Sequence, residues 1–175
     1  MQRTSFDQMS CSIARTAEVI GEWWTPLVLR DISIGITRFD AIQRNLGISR
    51  KVLTQRLNAL VEHGVIERQP YHESPTRYDY FLTEKGVDLA MVLLAMQAWG
   101  DRWVFGEDSA PVVVRHDACG ALARPVAACS SCGEPMLPTD ITLLPGPGAR
   151  TGPGTRETLE ALARLGESRS APLPQ

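Results

Sequence analysis

The feature that most constrains this chain is a change in hydrophobic periodicity near residue 64. Before it, apolar residues recur at the three-to-four-residue spacing of amphipathic helices. After it, residues 65–71 and 77–82 have the alternation of two strands, joined by a short turn at 72–76. A third pattern, again helical, covers residues 83–104. The chain is therefore predicted to combine a group of helices with one β-hairpin and a long final helix.

Four helices are predicted before the hairpin, over residues 11–20, 23–32, 38–45 and 49–63. A tight turn at Leu46-Gly47-Ile48 separates the last two, and the final helix has an N-capping serine and a glycine stop. A short helix, a turn, a longer helix and a hairpin are typical of a winged helix-turn-helix. The predicted fold class is α+β, with this unit followed by a long C-terminal dimerisation helix and a small β-rich, ribbon-like appendage.

The helix that begins after Ser49 has a polar side suited to duplex DNA. Its apolar stripe is Val52, Leu53, Leu57, Leu60 and Val61, and its other side chains are Arg50, Lys51, Thr54, Gln55, Arg56 and Asn58. Arginine and lysine reach guanine or phosphate, glutamine pairs with adenine, and hydroxyls bond phosphate. The alternative is an ordinary solvated helix face. DNA contact is favoured because no acidic residue occurs until Glu62.

Charge is concentrated around the same segment. The chain has a net charge of −2, yet residues 38–58 contain five basic residues and one acidic residue, Asp40. A local basic patch suffices for phosphate recognition because fields decay within about 10 Å at cellular salt. Charge alone fits a solvated face equally well. Arg38 belongs to this patch, and His72 and Arg77 flank the hairpin tip, where a wing would meet DNA, although His72 fits a plain turn as well.

Length and composition limit the remaining possibilities. A chain of 175 residues accommodates one domain and an appendage. No apolar run is long enough for a membrane span and the first ten residues do not resemble a secretion signal, so a cytoplasmic protein is expected. With three histidines and no glycine-rich phosphate loop, an enzyme is not expected. The helix at 83–104 is apolar almost all round, which predicts a homodimer.

Three of the four cysteines lie late in the chain. His116 and Cys119, then Cys129 and Cys132, form two pairs of x2 spacing, each followed by glycine. This pattern predicts a zinc ribbon with these four residues as Zn²⁺ ligands. A metal-free hairpin and a redox-active Cys129–Cys132 pair are the alternatives. The predicted domains are 1–107 for DNA binding and dimerisation, 111–142 for the appendage, and 145–175 for a Pro/Gly-rich disordered tail.

Across residues 11–103 the sequence resembles the HxlR-type regulators, a branch of the winged-helix family. The resemblance implies homodimers whose N-terminal and long C-terminal helices form the interface. Because the two recognition helices of such a dimer would enter successive major grooves, the DNA operator should be an approximate palindrome. It implies that Ser49, Arg50, Lys51, Thr54 and Gln55 face the major groove, with Arg56 either reading DNA or pairing structurally. The matching segments are Cys11–Ala14, Ile20–Thr25, Arg38–Ile42, Ile48–Leu57, His63–Arg68, Arg77–Gly86 and Ala98–Gly100.

Three functional hypotheses follow. The first is a sequence-specific DNA-binding regulator, with repression the more common role in the family that it resembles. The second is a zinc-ribbon adaptor for a protein or RNA partner, with the winged helix as scaffold. The third is a thiol- or zinc-responsive sensor, because the cysteine that matches Cys11 senses oxidants in some proteins of that family; a plain buried thiol is the alternative. The sequence does not name an effector.

Overall fold

The computed structural model describes residues 5–170. They form two compact units: one spans Glu22–Val126, and the other combines the described residues of Met1–Gly21 and Ala127–Gln175. The helices are α1 (Ser12–Ile20), α2 (Thr25–Ser33), α3 (Phe39–Leu46), α4 (Arg50–Glu62), α5 (Glu84–Gly100) and α6 (Arg156–Ser170), and the strands are β1 (Ile66–Glu73), β2 (Thr76–Leu82), β3 (Val114–Arg115) and β4 (Leu122–Ala123).

The core of the unit 22–126 lies between α2, α3, α4 and the hairpin. Its side chains come from the apolar stripes of the three helices and from the start of the hairpin, which is why the helical and strand periodicities predicted it. The buried apolar residues are Val28, Leu29, Ile32, Ile42, Ile48, Leu53, Leu57, Leu60, Val65, Ile66 and Tyr80. The predicted helices and strands from α2 to β2 are present with ends shifted by at most two residues, whereas α5 ends four residues before its predicted end.

The turn between α3 and α4 sets the angle between these two helices. Gly47 adopts φ 64°, a left-handed conformation that ends α3, and its N–H bonds the carbonyl of Gln43 at 3.0 Å. Ile48 is then buried, and Ser49 caps α4 by accepting a hydrogen bond from the Val52 N–H. The turn is therefore held by a glycine conformation, a buried side chain and a helix cap.

The hairpin pairs β1 with β2 in antiparallel register from Ile66–Leu82 to Glu73–Thr76, with an irregularity between Pro70 and His72. Its second strand is joined to the segment before α3, where the Tyr80 N–H bonds the Thr37 carbonyl at 2.9 Å. This extra bridge docks the hairpin beside α3 as a wing.

Helix α5 begins at the Thr83 cap and runs to Gly100, followed by a π-helical turn over Asp101–Phe105. The sequence predicted one helix to residue 104, so the change of helical type at Asp101 was not foreseen. Across residues 5–170, the structure has no helix that is both long and apolar enough to cross a membrane.

The appendage and the tail differ from their predicted organisation. Strands β3 and β4 belong to the unit 22–126, whereas residues 127–142 belong to the other unit, so 111–142 is not one compact piece. In the predicted disordered tail, residues 156–170 form α6. Thr155 is buried before this helix and its hydroxyl bonds the Arg150 carbonyl at 2.8 Å. The Pro/Gly-rich composition of the tail therefore does not prevent a helix after Thr155; residues 171–175 lie outside the described part.

Candidate nucleic-acid interface

Helix α4 is anchored on one side and open on the other. Leu53, Leu57 and Leu60 are at most 1% exposed, so the helix cannot rotate without opening the core. The side chains on the opposite side, together with the residues that flank the helix start, are exposed to solvent: Ser49, Arg50, Lys51, Thr54, Gln55 and Asn58. The predicted polar face is therefore presented outward on a rigid support.

A buried carboxylate ties α2 to α3 directly behind this helix. Asp31 is fully buried; its Oδ2 accepts from Asn45 Nδ2 at 2.7 Å and its Oδ1 accepts from Arg30. Gln43 Nε2 donates to the Ile48 carbonyl at 3.2 Å across the turn. The Asp31 contacts hold α3 against α2, because a buried carboxylate without donors is strongly destabilising. The Gln43 bond spans the turn that leads into α4. The sequence alone did not predict a role for Asp31 or Asn45.

Arg50, the first residue of α4, contacts α3. Its Nη1 donates to Asp40 Oδ1 at 2.8 Å, and its guanidinium carbon lies 4.7 Å from the centre of the Phe39 ring. The hydrogen bond from Arg50 holds the pKa of Asp40 below its usual value, and the charges of Arg77 and Arg44 act in the same direction. Asp40 therefore remains an anion within the basic patch.

Arg38 connects the patch to the wing. Its Nε lies 3.5 Å from Asp79 Oδ1, and its guanidinium carbon lies 4.5 Å from the centre of the Tyr71 ring. Asp79 also accepts from the Thr37 hydroxyl at 2.8 Å. The Arg38 side chain remains 62% exposed, so it is positioned by the wing while still accessible to a ligand.

The two predicted wing residues face each other across the hairpin. His72 pairs in register with Arg77, and both are exposed. His72 Nδ1 lies 2.9 Å from the Pro75 carbonyl, a contact across the turn. The wing therefore brings one arginine and one histidine close to its tip, next to Ser74 and Pro75.

Arg56 does not belong to the exposed face. Its side chain is 17% exposed, and Nη1 lies 3.3 Å from Glu22 Oε2. Among the described residues, its Nε is buried and has no hydrogen-bond partner. The structure thus favours the structural pairing over DNA contact for this residue, because position 56 lies on the flank of α4 that turns towards the start of α2.

The remaining eight predicted residues are exposed, and together they define a winged helix-turn-helix with an open basic face, the architecture of DNA-binding transcription regulators. They are Arg38, Ser49, Arg50, Lys51, Thr54, Gln55, His72 and Arg77. The structure adds Asp40 and Asp79 as carboxylate partners of two of the arginines. An acidic residue inside a basic segment was the sequence signal for Asp40, but its partner is ten positions away.

The comparisons identify the family. The model of the HxlR-like helix-turn-helix family matches residues 19–108. An HTH-type transcriptional regulator of Mycobacterium tuberculosis is 42% identical over 137 residues, covering 78% of this chain and 87% of that protein. The chain belongs to the HxlR-like helix-turn-helix family of transcription regulators.

Two solved structures extend the similarity beyond the matched domain. A protein described as a transcription factor matches with a TM-score of 0.68 at 34% identity, covering 86% of this chain and 99% of that chain. A second such protein, from Pseudomonas aeruginosa, matches with a TM-score of 0.59 at 39% identity and the same coverage. The arrangement of the regulator fold is therefore shared with these proteins.

The late cysteine pairs form two turns of the same design. In the first, the Gly120 N–H bonds the His116 carbonyl at 2.8 Å and the His116 N–H bonds the Ala121 carbonyl at 2.9 Å. In the second, the Gly133 N–H bonds the Cys129 carbonyl and the Cys129 N–H bonds the Glu134 carbonyl, both at 2.8 Å. The two glycines have φ of 72° and 78°, as the predicted role of glycine in each turn requires.

Within each turn the two candidate ligands are close. His116 Nδ1 lies 3.3 Å from Cys119 Sγ. In the second turn, hydrogen bonds from the backbone N–H groups of Cys132 and Ser131 lower the pKa of the Cys129 thiol, which favours the thiolate that binds metals. Among the described residues, neither unit by itself brings three His, Cys, Asp or Glu side chains into a metal-binding group.

Cys11 lies immediately before α1, at its N-cap position, and is half-buried. Its carbonyl accepts from the Arg15 N–H at 3.0 Å, and its thiol makes no capping hydrogen bond. The hypothesis that Cys11 senses oxidants stays a prediction.

Proposed function

We propose that the protein is a sequence-specific repressor that binds an approximately palindromic operator as a homodimer. The observation that carries the proposal is the exposed polar face of α4, backed by a fully buried leucine stripe and flanked by a docked wing. Arg50, Lys51 and Gln55 supply the donors and acceptors that read base edges or phosphates in the major groove. The repressor role is proposed because repression is the more common role in the family that the sequence resembles.

The homodimer is supported by an exposed apolar stripe on α5 and on the π-helical turn that follows it. Val92, Met96, Trp99 and Trp103 recur at helical spacing and are 40%, 51%, 63% and 63% exposed. A contiguous exposed surface of large apolar side chains marks an interaction site, and a second copy of the chain is the occupant that places two α4 helices on one duplex. Successive major grooves lie roughly 34 Å apart, which requires two half-sites related by symmetry.

The test of this function is direct binding. A duplex is selected from random DNA by the full-length protein and compared with a scrambled duplex of the same composition. Arg50→Ala and Gln55→Ala should each weaken binding to the selected duplex by about 10- to 100-fold, because each removes a base contact from both half-sites. Binding is measured by fluorescence polarisation at one fixed salt concentration.

The matched control is Glu62→Gln, which changes an exposed residue at the other end of α4 and should leave the selected-duplex affinity within about twofold. The proposal fails if selection enriches no sequence, or if the two alanine variants bind the selected duplex as tightly as the wild-type protein.

We also propose Zn²⁺ as a structural cofactor, held by His116, Cys119, Cys129 and Cys132. Support comes from the two turns of equal hydrogen-bond pattern, each with two nitrogen or sulfur ligands at x2 spacing, and from the lowered pKa of Cys129. Zinc takes four such ligands in structural sites.

The zinc proposal predicts the metal content of protein purified without chelators. We expect about one zinc per chain by elemental analysis, lost in Cys129→Ser, since three ligands do not complete a structural tetrahedron. Cys11→Ser is the control and should retain the metal. A wild-type protein that contains no zinc and unfolds at the same temperature with and without a chelator would end this proposal.

A further inference from the structure

Arg50 is held in place by α3 before any DNA arrives. Asp40 accepts one of its hydrogen bonds at 2.8 Å and the Phe39 ring lies beneath the guanidinium at 4.7 Å. The arginine is nevertheless 68% exposed. Because a guanidinium has five N–H donors, the bond to Asp40 leaves donors for the N7 and O6 acceptors of a guanine.

Asp40 is an anion on the candidate DNA-binding face. Its side chain is 48% exposed, and the charges of Arg50, Arg77 and Arg44 all act on it. These three arginines come from α4, from the wing and from α3, so the carboxylate lies within reach of all three parts of the candidate interface. An exposed carboxylate at this place repels phosphates.

Asp40 both holds Arg50 and repels phosphates, and these two effects differ between a duplex with a matching base and a duplex without one. On a duplex that offers Arg50 a guanine, the arginine binds the base edge and keeps its carboxylate partner. On a duplex that offers phosphates alone, Arg50 must leave Asp40 to reach them, and the carboxylate then faces a polyanion unpaired. Non-specific binding depends on such phosphate contacts, so the Asp40 carboxylate lowers the affinity for non-specific DNA more than the affinity for the specific duplex.

We propose that Asp40 is a specificity-determining positioning residue that holds Arg50 for guanine readout and disfavours binding through phosphates alone. The inference rests on the proposed function, sequence-specific binding through α4. It assigns the negative charge in the basic patch a role in discrimination between DNA sequences, and it predicts that the carboxylate limits affinity for unrelated DNA.

The test is Asp40→Asn in the full-length chain, which keeps the shape of the side chain and removes its charge. Affinity for the scrambled duplex should rise about 3- to 10-fold, while affinity for the selected duplex changes by less than about twofold, because a freed Arg50 gains one phosphate contact per protomer. The salt dependence of scrambled-duplex binding, as log K against log salt, should steepen by about one per protomer.

Three variants separate positioning from bulk charge and from structural damage. Glu62→Gln removes an equal charge roughly 18 Å from Arg50 along α4, and it should not change the ratio of the two affinities. Asp40→Glu retains a carboxylate and should restore most of the wild-type ratio. In an Arg50→Ala background, Asp40→Asn should no longer change the ratio, as the two side chains act as one unit.

The possible results are distinct. If the wild-type protein prefers its selected duplex and Asp40→Asn keeps the same preference, the inference is overturned and the proposed function stands. Equal tightening on both duplexes, or an undiminished effect of Asp40→Asn without Arg50, also overturns it. If the wild-type protein does not distinguish the two duplexes, the proposed function and this inference fail together.

Discussion

Replacing Met96 and Trp99 together by glutamate is expected to dissociate the dimer and to remove most operator binding. Both side chains lie on the exposed stripe of α5, at 51% and 63% exposure. In a homodimer the double variant buries four carboxylates in an apolar interface, and two interface anchors of this size are worth about 4 kcal/mol or more. The dimer dissociation constant should therefore rise by at least about 100-fold.

Operator affinity should fall when the dimer dissociates, since a lone protomer places one recognition helix on one half-site. Sedimentation equilibrium gives the oligomeric state, and polarisation with the selected duplex gives the affinity. Val126→Glu is the control: it puts a glutamate, one charge per chain where the double variant adds two, at an apolar residue that is 74% exposed but outside α5, and it should change neither quantity. A double variant that remains a dimer at the same concentrations would refute the assignment of the interface to α5.

Gly86→Ala is expected to have the largest effect of a single methyl group on stability. Gly86 is buried in the first turn of α5, where an added Cβ would collide with the Val65 carbonyl oxygen and lie 3.2 Å from Leu82. The same carbonyl accepts from the Thr83 N–H, so the helix cannot move away without losing this bond. We expect a loss of about 2–3 kcal/mol in the free energy of unfolding, because backbone atoms cannot rotate aside.

The matched control is in the same helix. Gly100 has helical φ and ψ, and an added Cβ would find open space, so Gly100→Ala should leave stability unchanged or raise it by up to about 1 kcal/mol. Thermal unfolding measures both, with a fall in Tm of roughly 5–10 °C for Gly86→Ala. Equal behaviour of the two variants would show that α5 does not pack against Val65 as described.

The recognition segment shows how far the sequence predicted the site. Ser49 was predicted as a helix cap and accepts the Val52 N–H; the leucine stripe was predicted and is buried. Both features depend on residues within one helix, whose spacing is visible in the printed sequence. The exposure of Lys51, Thr54 and Gln55 follows directly, since the other side of the same helix is occupied.

Contacts between helices could not be predicted in this way. Arg56 has the same charge as Arg50, yet it pairs with Glu22 and is mostly buried, while Arg50 stands at the exposed start of α4 beside Asp40. Nothing in the local sequence separates the two arginines. The exposure and the partner of each arginine depend on which neighbouring segment it contacts, and the packing angles between the helices determine that contact.

In the late part of the chain, too, local turns were predicted and the arrangement of longer segments was not. The glycine turns after Cys119 and Cys132 are local and were predicted. The division of 111–142 between two compact units was not predicted, and residues 156–170, predicted as part of a disordered tail, form α6. Composition averages over a segment, whereas a helix depends on the positions of particular side chains and on what they contact.

The sequence by itself determined the order of elements, the buried stripe of each helix and the polar side of α4, because these depend on periodicities within single segments. The tertiary structure alone decided which arginines remain accessible, which carboxylates accompany them, and that Asp31 and Asn45 tie α2 to α3. The physical reason is that side chains distant in sequence meet only after the core has closed, and burial then fixes their partners.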